Sequence, residues 1–173
     1  MPAAFVVRVG VVGPEGSGKS CLVRRACYGT FYPASCGGSP VERHAVEGSP
    51  RWLFHDFGGL RHCRHAGAAE LAQCDVIWLV DDGQSRAGGE SDDEGWWWAH
   101  LGLHQPLIRV RSKTDLLALP PQPVAWQQQN PSYDCAVSAL EGRGITELMD
   151  MTRPYARGTP KREPPAKVCA CWP

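Results

Sequence analysis

Short apolar runs alternate along the chain with segments whose apolar residues repeat at helical spacing. Phe5 to Val12, Val76 to Val80 and Leu107 to Val110 are runs of this kind, with few polar interruptions, as is typical of strands buried on both faces. Between Ile145 and Tyr155, apolar residues step at intervals that place them on one face of a helix. This order predicts an α/β fold, with a mostly parallel central sheet of about six strands and helices on both faces.

Residues 41–54 predict a different connection between two strands. Val41 to Val46 and Arg51 to Phe54 flank the turn-forming residues 47–50, which favours an antiparallel hairpin. The remaining predicted elements are helices and a last strand, over Cys21–Tyr28, Gly67–Gln73, Trp96–Leu103 and Tyr133–Val137.

Composition narrows the class of protein. The 173 residues suit one domain, expected over residues 1–156, and the Pro-rich basic segment 157–173 is expected to lack a packed fold. The charges of eighteen basic and eighteen acidic residues cancel, so no net electrostatic field indicates a nucleic-acid partner.

The cysteines and the last residues of the sequence bear on the compartment. Eight scattered cysteines without a secretory leader indicate reduced thiols and a cytoplasmic protein. The last residues, 170–173, do not form a prenylation signal, so membrane association has no support.

A phosphate-binding motif lies between the first predicted strand and the first predicted helix. Gly13 to Ser20 reads G-P-E-G-S-G-K-S, which matches G-x-x-x-x-G-K-[ST]. Backbone N–H groups of such a loop surround a polyphosphate, and the helix N-terminus adds a favourable dipole. Lys19 would contact the β- and γ-phosphates, and the Ser20 hydroxyl would bind Mg²⁺. The predicted nucleotide-binding residues here are Gly13, Glu15, Gly16, Ser17, Gly18, Lys19, Ser20 and Cys21.

A second motif follows the hairpin. An apolar strand leads into Asp56, and Gly59 comes three residues later. Asp56 would hold Mg²⁺, and the Gly59 N–H would hydrogen-bond a γ-phosphate and couple the following loop to its presence. Lys19 and Gly59 are therefore the predicted catalytic groups.

A third motif concerns the base. Leu107 to Val110 leads into Ser112-Lys113-Thr114-Asp115, and with the preceding motifs the sequence resembles the Ras-like small GTPases of the P-loop GTPase superfamily. The family's [N/T]-K-x-D motif follows the fifth strand and reads guanine. The resemblance implies that the Asp115 carboxylate accepts hydrogen bonds from guanine N1–H and the exocyclic amine, which adenine does not offer as a pair. Lys113 would lie along the base plane.

A further loop completes the resemblance. Ser138, Ala139 and Leu140 are similar to the family's S-A-[K/L] loop, in which a backbone N–H contacts guanine O6. The resemblance implies a three-layer P-loop fold, GTP or GDP with Mg²⁺ as ligands, and hydrolysis of GTP to GDP and phosphate. It also implies effector and regulatory proteins that bind through the switch loops. The first switch offers Ser35 or Ser39 to Mg²⁺ in place of the usual Thr.

Several positions depart from the family pattern. Leu60 replaces the water-positioning Gln, so unaided hydrolysis should be slow, and this stretch is similar to the second switch of the TrmE–Era branch. Glu15 replaces a small residue and either repels the γ-phosphate or points to solvent. Ser112 replaces Asn, which is expected to weaken hydrogen bonds between loops. A nucleotide-binding pseudo-GTPase scaffold with negligible hydrolysis is therefore the alternative function. Asp115 argues against an ATP-using kinase.

Overall fold

The described secondary structure alternates strands and helices. The computed structural model describes residues 5–33, 41–59, 67, 69–82, 105–117 and 134–157. The strands are β1 (Val6–Val12), β2 (Val41–Val46), β3 (Arg51–Phe57), β4 (Val76–Asp81), β5 (Leu107–Arg111) and β6 (Cys135–Ala136). The α-helices are α1 (Lys19–Tyr28) and α2 (Ile145–Thr152), with 3₁₀ turns at Thr114–Leu116 and Arg153–Tyr155, and residues 69–71 are also helical.

The strands form one six-stranded sheet in the order β2-β3-β1-β4-β5-β6. β2 runs antiparallel to β3, which confirms the predicted hairpin, and every other neighbouring pair is parallel. The predicted α/β class with a mostly parallel sheet is therefore confirmed. Because the carboxyl ends of parallel strands meet at one edge, the segments that follow β1, β3, β4, β5 and β6 leave the sheet on the same side.

Apolar side chains cover both faces of the sheet. On one face, alternate residues of β1 pack with α1 and α2, where Leu22 and Leu148 are fully buried. On the other face, Phe57 and Ile77 pack around Leu71 of the helical residues 69–71. Burial on both faces explains why β1 and β4 appear in the sequence as continuous apolar runs. The arrangement is consistent with three layers.

A buried hydrogen bond fastens α2 to the middle of the sheet. The indole Nε1 of Trp78 on β4 donates to Thr152 Oγ1 over 2.9 Å, and that hydroxyl donates to Leu148 O over 2.6 Å. Both Trp78 and Thr152 are fully buried, so each polar group has its partner inside the core.

Several predicted boundaries differ from the structure. α1 begins at Lys19 rather than Cys21, because Gly18 already serves as its N-cap. β3 continues to Phe57, so Asp56 lies within the strand, and β6 covers only Cys135–Ala136 of the predicted 133–137. Arg157, assigned to the tail, forms an antiparallel bridge with Val6.

Two further findings concern the limits of the described chain. The predicted helix Trp96–Leu103 and residues 158–173 of the predicted tail lie outside the described residues. In the described part, none of the helices has the length and apolar character needed to cross a lipid bilayer.

Candidate functional site

The predicted phosphate-binding motif, residues 13–20, forms a tight loop between β1 and the start of α1, called the phosphate loop below. Gly13 has a φ of 143°, and a Cβ at this position would lie 2.0 Å from Val80 O, so only glycine fits. Gly18 then turns the chain into α1 with a φ of 89°. The buried Lys19 side chain folds back, and its Nζ donates to Pro14 O over 2.6 Å. The motif therefore has the strand–loop–helix context that phosphate binding requires.

A buried carboxylate lies beside this loop. Asp56 is 4% exposed, and its Oδ1 has no hydrogen-bond partner among the described residues. Burial raises the pKa of Asp56, whereas a hydrogen bond with the Ser20 side chain and the nearby Lys19 charge lower it. An unsatisfied buried carboxylate oxygen next to a hydroxyl suits a hard cation such as Mg²⁺. Ser20 and Asp56 thus fit the predicted metal site, while Ser35 and Ser39 lie outside the described residues.

Gly59 lies directly against the phosphate loop. A Cβ added to Gly59 would be 2.6 Å from Glu15 N and 3.0 Å from Lys19 Nζ. The structure therefore brings together Lys19 and Gly59, the two residues predicted to be catalytic. Glu15 itself is exposed. Leu60 lies outside the described residues.

A cavity of about 200 Å³ adjoins the phosphate loop. Its walls come from the start of α1, from the segment that follows α1, and from the loops after β5 and β6. The residues that line it are Gly18, Cys21, Leu22, Phe31, Ser112, Lys113, Asp115, Leu116, Val137, Ala139 and Leu140. Predicted base-reading residues of the loops after β5 and β6 therefore meet Gly18 and Cys21 of the phosphate-binding motif around one space.

Hydrogen bonds hold the Asp115 carboxylate in this wall. The buried Ser138 hydroxyl donates to Asp115 Oδ1 over 2.7 Å and accepts a bond from Glu141 N over 3.1 Å. Thr114 N also donates to Val137 O over 3.1 Å, which joins the loops after β5 and β6. Ser138, predicted as a base-contacting residue, thus acts in the structure as a partner of Asp115.

The loop after β5 is also tied to the phosphate loop. Ser112 Oγ donates to Ser17 O over 2.5 Å, and both residues are buried. The serine side chain therefore still reaches a carbonyl of the phosphate loop, and the expected weakening relative to asparagine stays a prediction. Lys113 follows with a left-handed backbone, at a φ of 53°.

Four of the residues that line the cavity had not been predicted as binding residues: Leu22, Phe31, Leu116 and Val137. Phe31, in the segment after α1, is half-buried and lines the cavity, as does Leu116 in the loop after β5. Leu116 and Leu140 are 64% and 53% exposed, so the rim is apolar. The sequence feature that could have identified Phe31 is an aromatic residue two positions after Gly29, the left-handed C-cap of α1. Apolar side chains around a carboxylate suit a planar heterocycle.

Comparisons with known proteins do not assign the chain to a family. No protein-family model matches the sequence, and no curated protein is significantly similar to it. We therefore base the proposed function on the fold, on the phosphate loop with the neighbouring Asp56, and on the adjoining cavity.

Proposed function

We propose that this chain is a guanine-nucleotide-binding protein that hydrolyses GTP to GDP and phosphate and acts as a nucleotide-dependent switch. The main support is the Asp115 carboxylate, which Ser138 holds in the wall of an apolar cavity next to the phosphate loop. A carboxylate offers two acceptor oxygens to the paired donors of guanine, whereas adenine lacks that pair.

The phosphate loop and the neighbouring Asp56 support the part of the proposal that concerns the phosphates and Mg²⁺. Gly13 to Ser20 would surround the phosphates with backbone N–H groups, and Lys19 would neutralise the β- and γ-phosphate charge. Ser20 and Asp56 would hold Mg²⁺, which would supply further charge neutralisation at the reacting phosphate. The Gly59 N–H, next to Lys19, would donate to the γ-phosphate. The loop after Gly59 would then differ between the GTP and GDP states and present different surfaces to effector and regulatory proteins.

A pseudo-GTPase scaffold is the second candidate function. Gly59 lies against the backbone of Glu15, so the phosphate loop carries an exposed acidic residue beside Gly59. A negative charge on this loop opposes the build-up of negative charge on the phosphates, and Leu60 cannot orient water. Both candidates share guanine-nucleotide binding and differ only in turnover.

Nucleotide titration tests guanine-nucleotide binding, which both candidate functions require. Nucleotide-free protein would be titrated with fluorescent GDP, GTP and ATP, with and without Mg²⁺. We expect guanine nucleotides to bind much more tightly than ATP. Asp115→Asn should lose GDP affinity and gain xanthosine diphosphate affinity, because its amide donates where xanthine has a carbonyl. Asp150→Asn, on the exposed side of α2, is the matched control and should behave as wild type. Equal affinity for ATP and GTP would contradict the proposal.

Single-turnover phosphate release separates the two candidates. GTP-loaded wild type should release phosphate slowly, and Leu60→Gln should release it faster because an amide can orient the water. Lys19→Met should abolish release. If both the wild type and Leu60→Gln bind GTP but release no phosphate, the scaffold is the correct function.

A further inference from the structure

Asp82 and Lys113 meet where two neighbouring parallel strands end. Asp82 directly follows β4, and Lys113 follows the end of β5 by two residues. The strands pair Asp81 with Arg111, and Ser112 N donates to Asp81 O over 2.9 Å, so the two chains leave the sheet together. Lys113 Nζ lies 2.8 Å from Asp82 Oδ2, with side-chain exposures of 37% and 12%. This ion pair lies partly inside the protein rather than on its open surface.

Lys113 has an unusual backbone. In the described parts of the chain, it is the one non-glycine residue in the left-handed region, with a φ of 53° and a ψ of 39°. A residue with a Cβ is strained there, so the surrounding contacts must hold it. The conformation directs its side chain along Gly18: a Cβ added to Gly18 would lie 3.8 Å from Lys113 Cε and 3.9 Å from Cγ. The lysine arm therefore extends across the phosphate loop towards Asp82.

We infer that Asp82 is a positioning residue for the guanine pocket and acts through Lys113. Lys113 lines the cavity together with Gly18 and Asp115, so its extended arm forms one wall of the space for the base. A lysine arm with a free end would have to be ordered when the base binds, and ordering a long side chain costs affinity. Asp82 orders the arm in advance. The inference rests on the proposed guanine-nucleotide binding and adds a residue outside the family-like motifs.

The position of Asp82 also predicts which property it controls. The carboxylate does not line the cavity, so it does not read the donors and acceptors of the base. Its loss should shorten the lifetime of the nucleotide complex and leave the preference for guanine over adenine unchanged. This separates its role from that of Asp115, whose loss should change the preference itself.

The test is the dissociation rate of fluorescent GDP from the full chain. Asp82→Asn keeps the side-chain volume and removes the charge, and it should release GDP roughly tenfold faster. Asp82→Glu restores the charge and should be close to wild type. In a Lys113→Met background, Asp82→Asn should have no further effect, since the two residues act as a unit. Asp134→Asn is the matched control, because this aspartate accepts a hydrogen bond from Arg109 N just before β6 begins and does not line the cavity.

Each outcome separates the inference from the proposed function. If wild type does not bind GDP, the proposed function is wrong, and so is the inference about Asp82 that rests on it. If wild type binds GDP but Asp82→Asn releases it at the wild-type rate, the inference alone is overturned. The same holds if Asp82→Asn still accelerates release when Lys113 is methionine. The nucleotide-free Asp82 variants should have the same melting temperature as Asp134→Asn. Faster GDP release that is explained by a lower melting temperature would also overturn the inference.

Discussion

Replacing Ser138 with alanine should loosen the Asp115 carboxylate, which we propose contacts the base, although Ser138 itself does not line the cavity. Ser138 is fully buried, and its hydroxyl joins Asp115 Oδ1 to the backbone N–H of Glu141. Alanine keeps the backbone and removes both bonds. Asp115 then loses the contact that orients its carboxylate, and the Glu141 N–H loses its acceptor.

The expected magnitudes follow from the two bonds. A hydrogen bond to a charged group contributes about 1.5–3 kcal/mol and a neutral one about 1 kcal/mol. Asp115 is half-buried, so water can replace part of its lost partner. We therefore expect the free energy of unfolding to fall by about 2 kcal/mol. Affinity for GDP should fall by roughly five- to tenfold, which corresponds to about 1–1.4 kcal/mol for fixing the carboxylate again on binding.

The assay pairs urea unfolding with GDP titration in Ser138→Ala and a matched variant. Thr152→Val also deletes a buried hydroxyl with two hydrogen bonds, but Thr152 does not line the cavity. It should lose similar stability and keep wild-type GDP affinity. If Ser138→Ala also keeps wild-type affinity, the orientation of Asp115 does not limit nucleotide binding, and the reasoning is refuted.

Three further predictions concern stability, pH and thiol reactivity. Gly13→Ala should cost at least about 3 kcal/mol in urea unfolding, because its Cβ would lie 2.0 Å from Val80 O. Gly16→Ala, with no atom within 4 Å of the added Cβ, should cost only about 1 kcal/mol. Because folding raises the pKa of Asp56 above 3.8, the stability of the nucleotide-free protein should fall as pH rises from that value through the raised pKa. Asp56→Asn should remove this fall and the Mg²⁺ dependence of GDP binding. Burial raises the pKa of the Cys74 thiol to about 12, so iodoacetamide at pH 8 should label it only after unfolding.

Much of the fold could be predicted from the sequence because its signals are local. Continuous apolar runs mark β1 and β4, since strands covered on both faces need apolar residues at every position. Turn-forming residues between two short strand-like segments mark the β2–β3 hairpin. The phosphate loop depends on backbone conformations that its glycines permit, so the motif itself predicts the loop between β1 and α1.

The sequence by itself thus determined the order of elements, the phosphate loop and the segments that carry candidate base-reading residues. Only the tertiary structure decided which side chains meet across those segments. Ser112 hydrogen-bonds Ser17, Phe31 lines the cavity, and Asp82 pairs with Lys113, all through contacts between residues distant in sequence or on different elements. Such contacts depend on strand register and on where each loop leaves the sheet. Register is set by which residues must face the core and by turn geometry, so contacts between segments form only once the strands pack together.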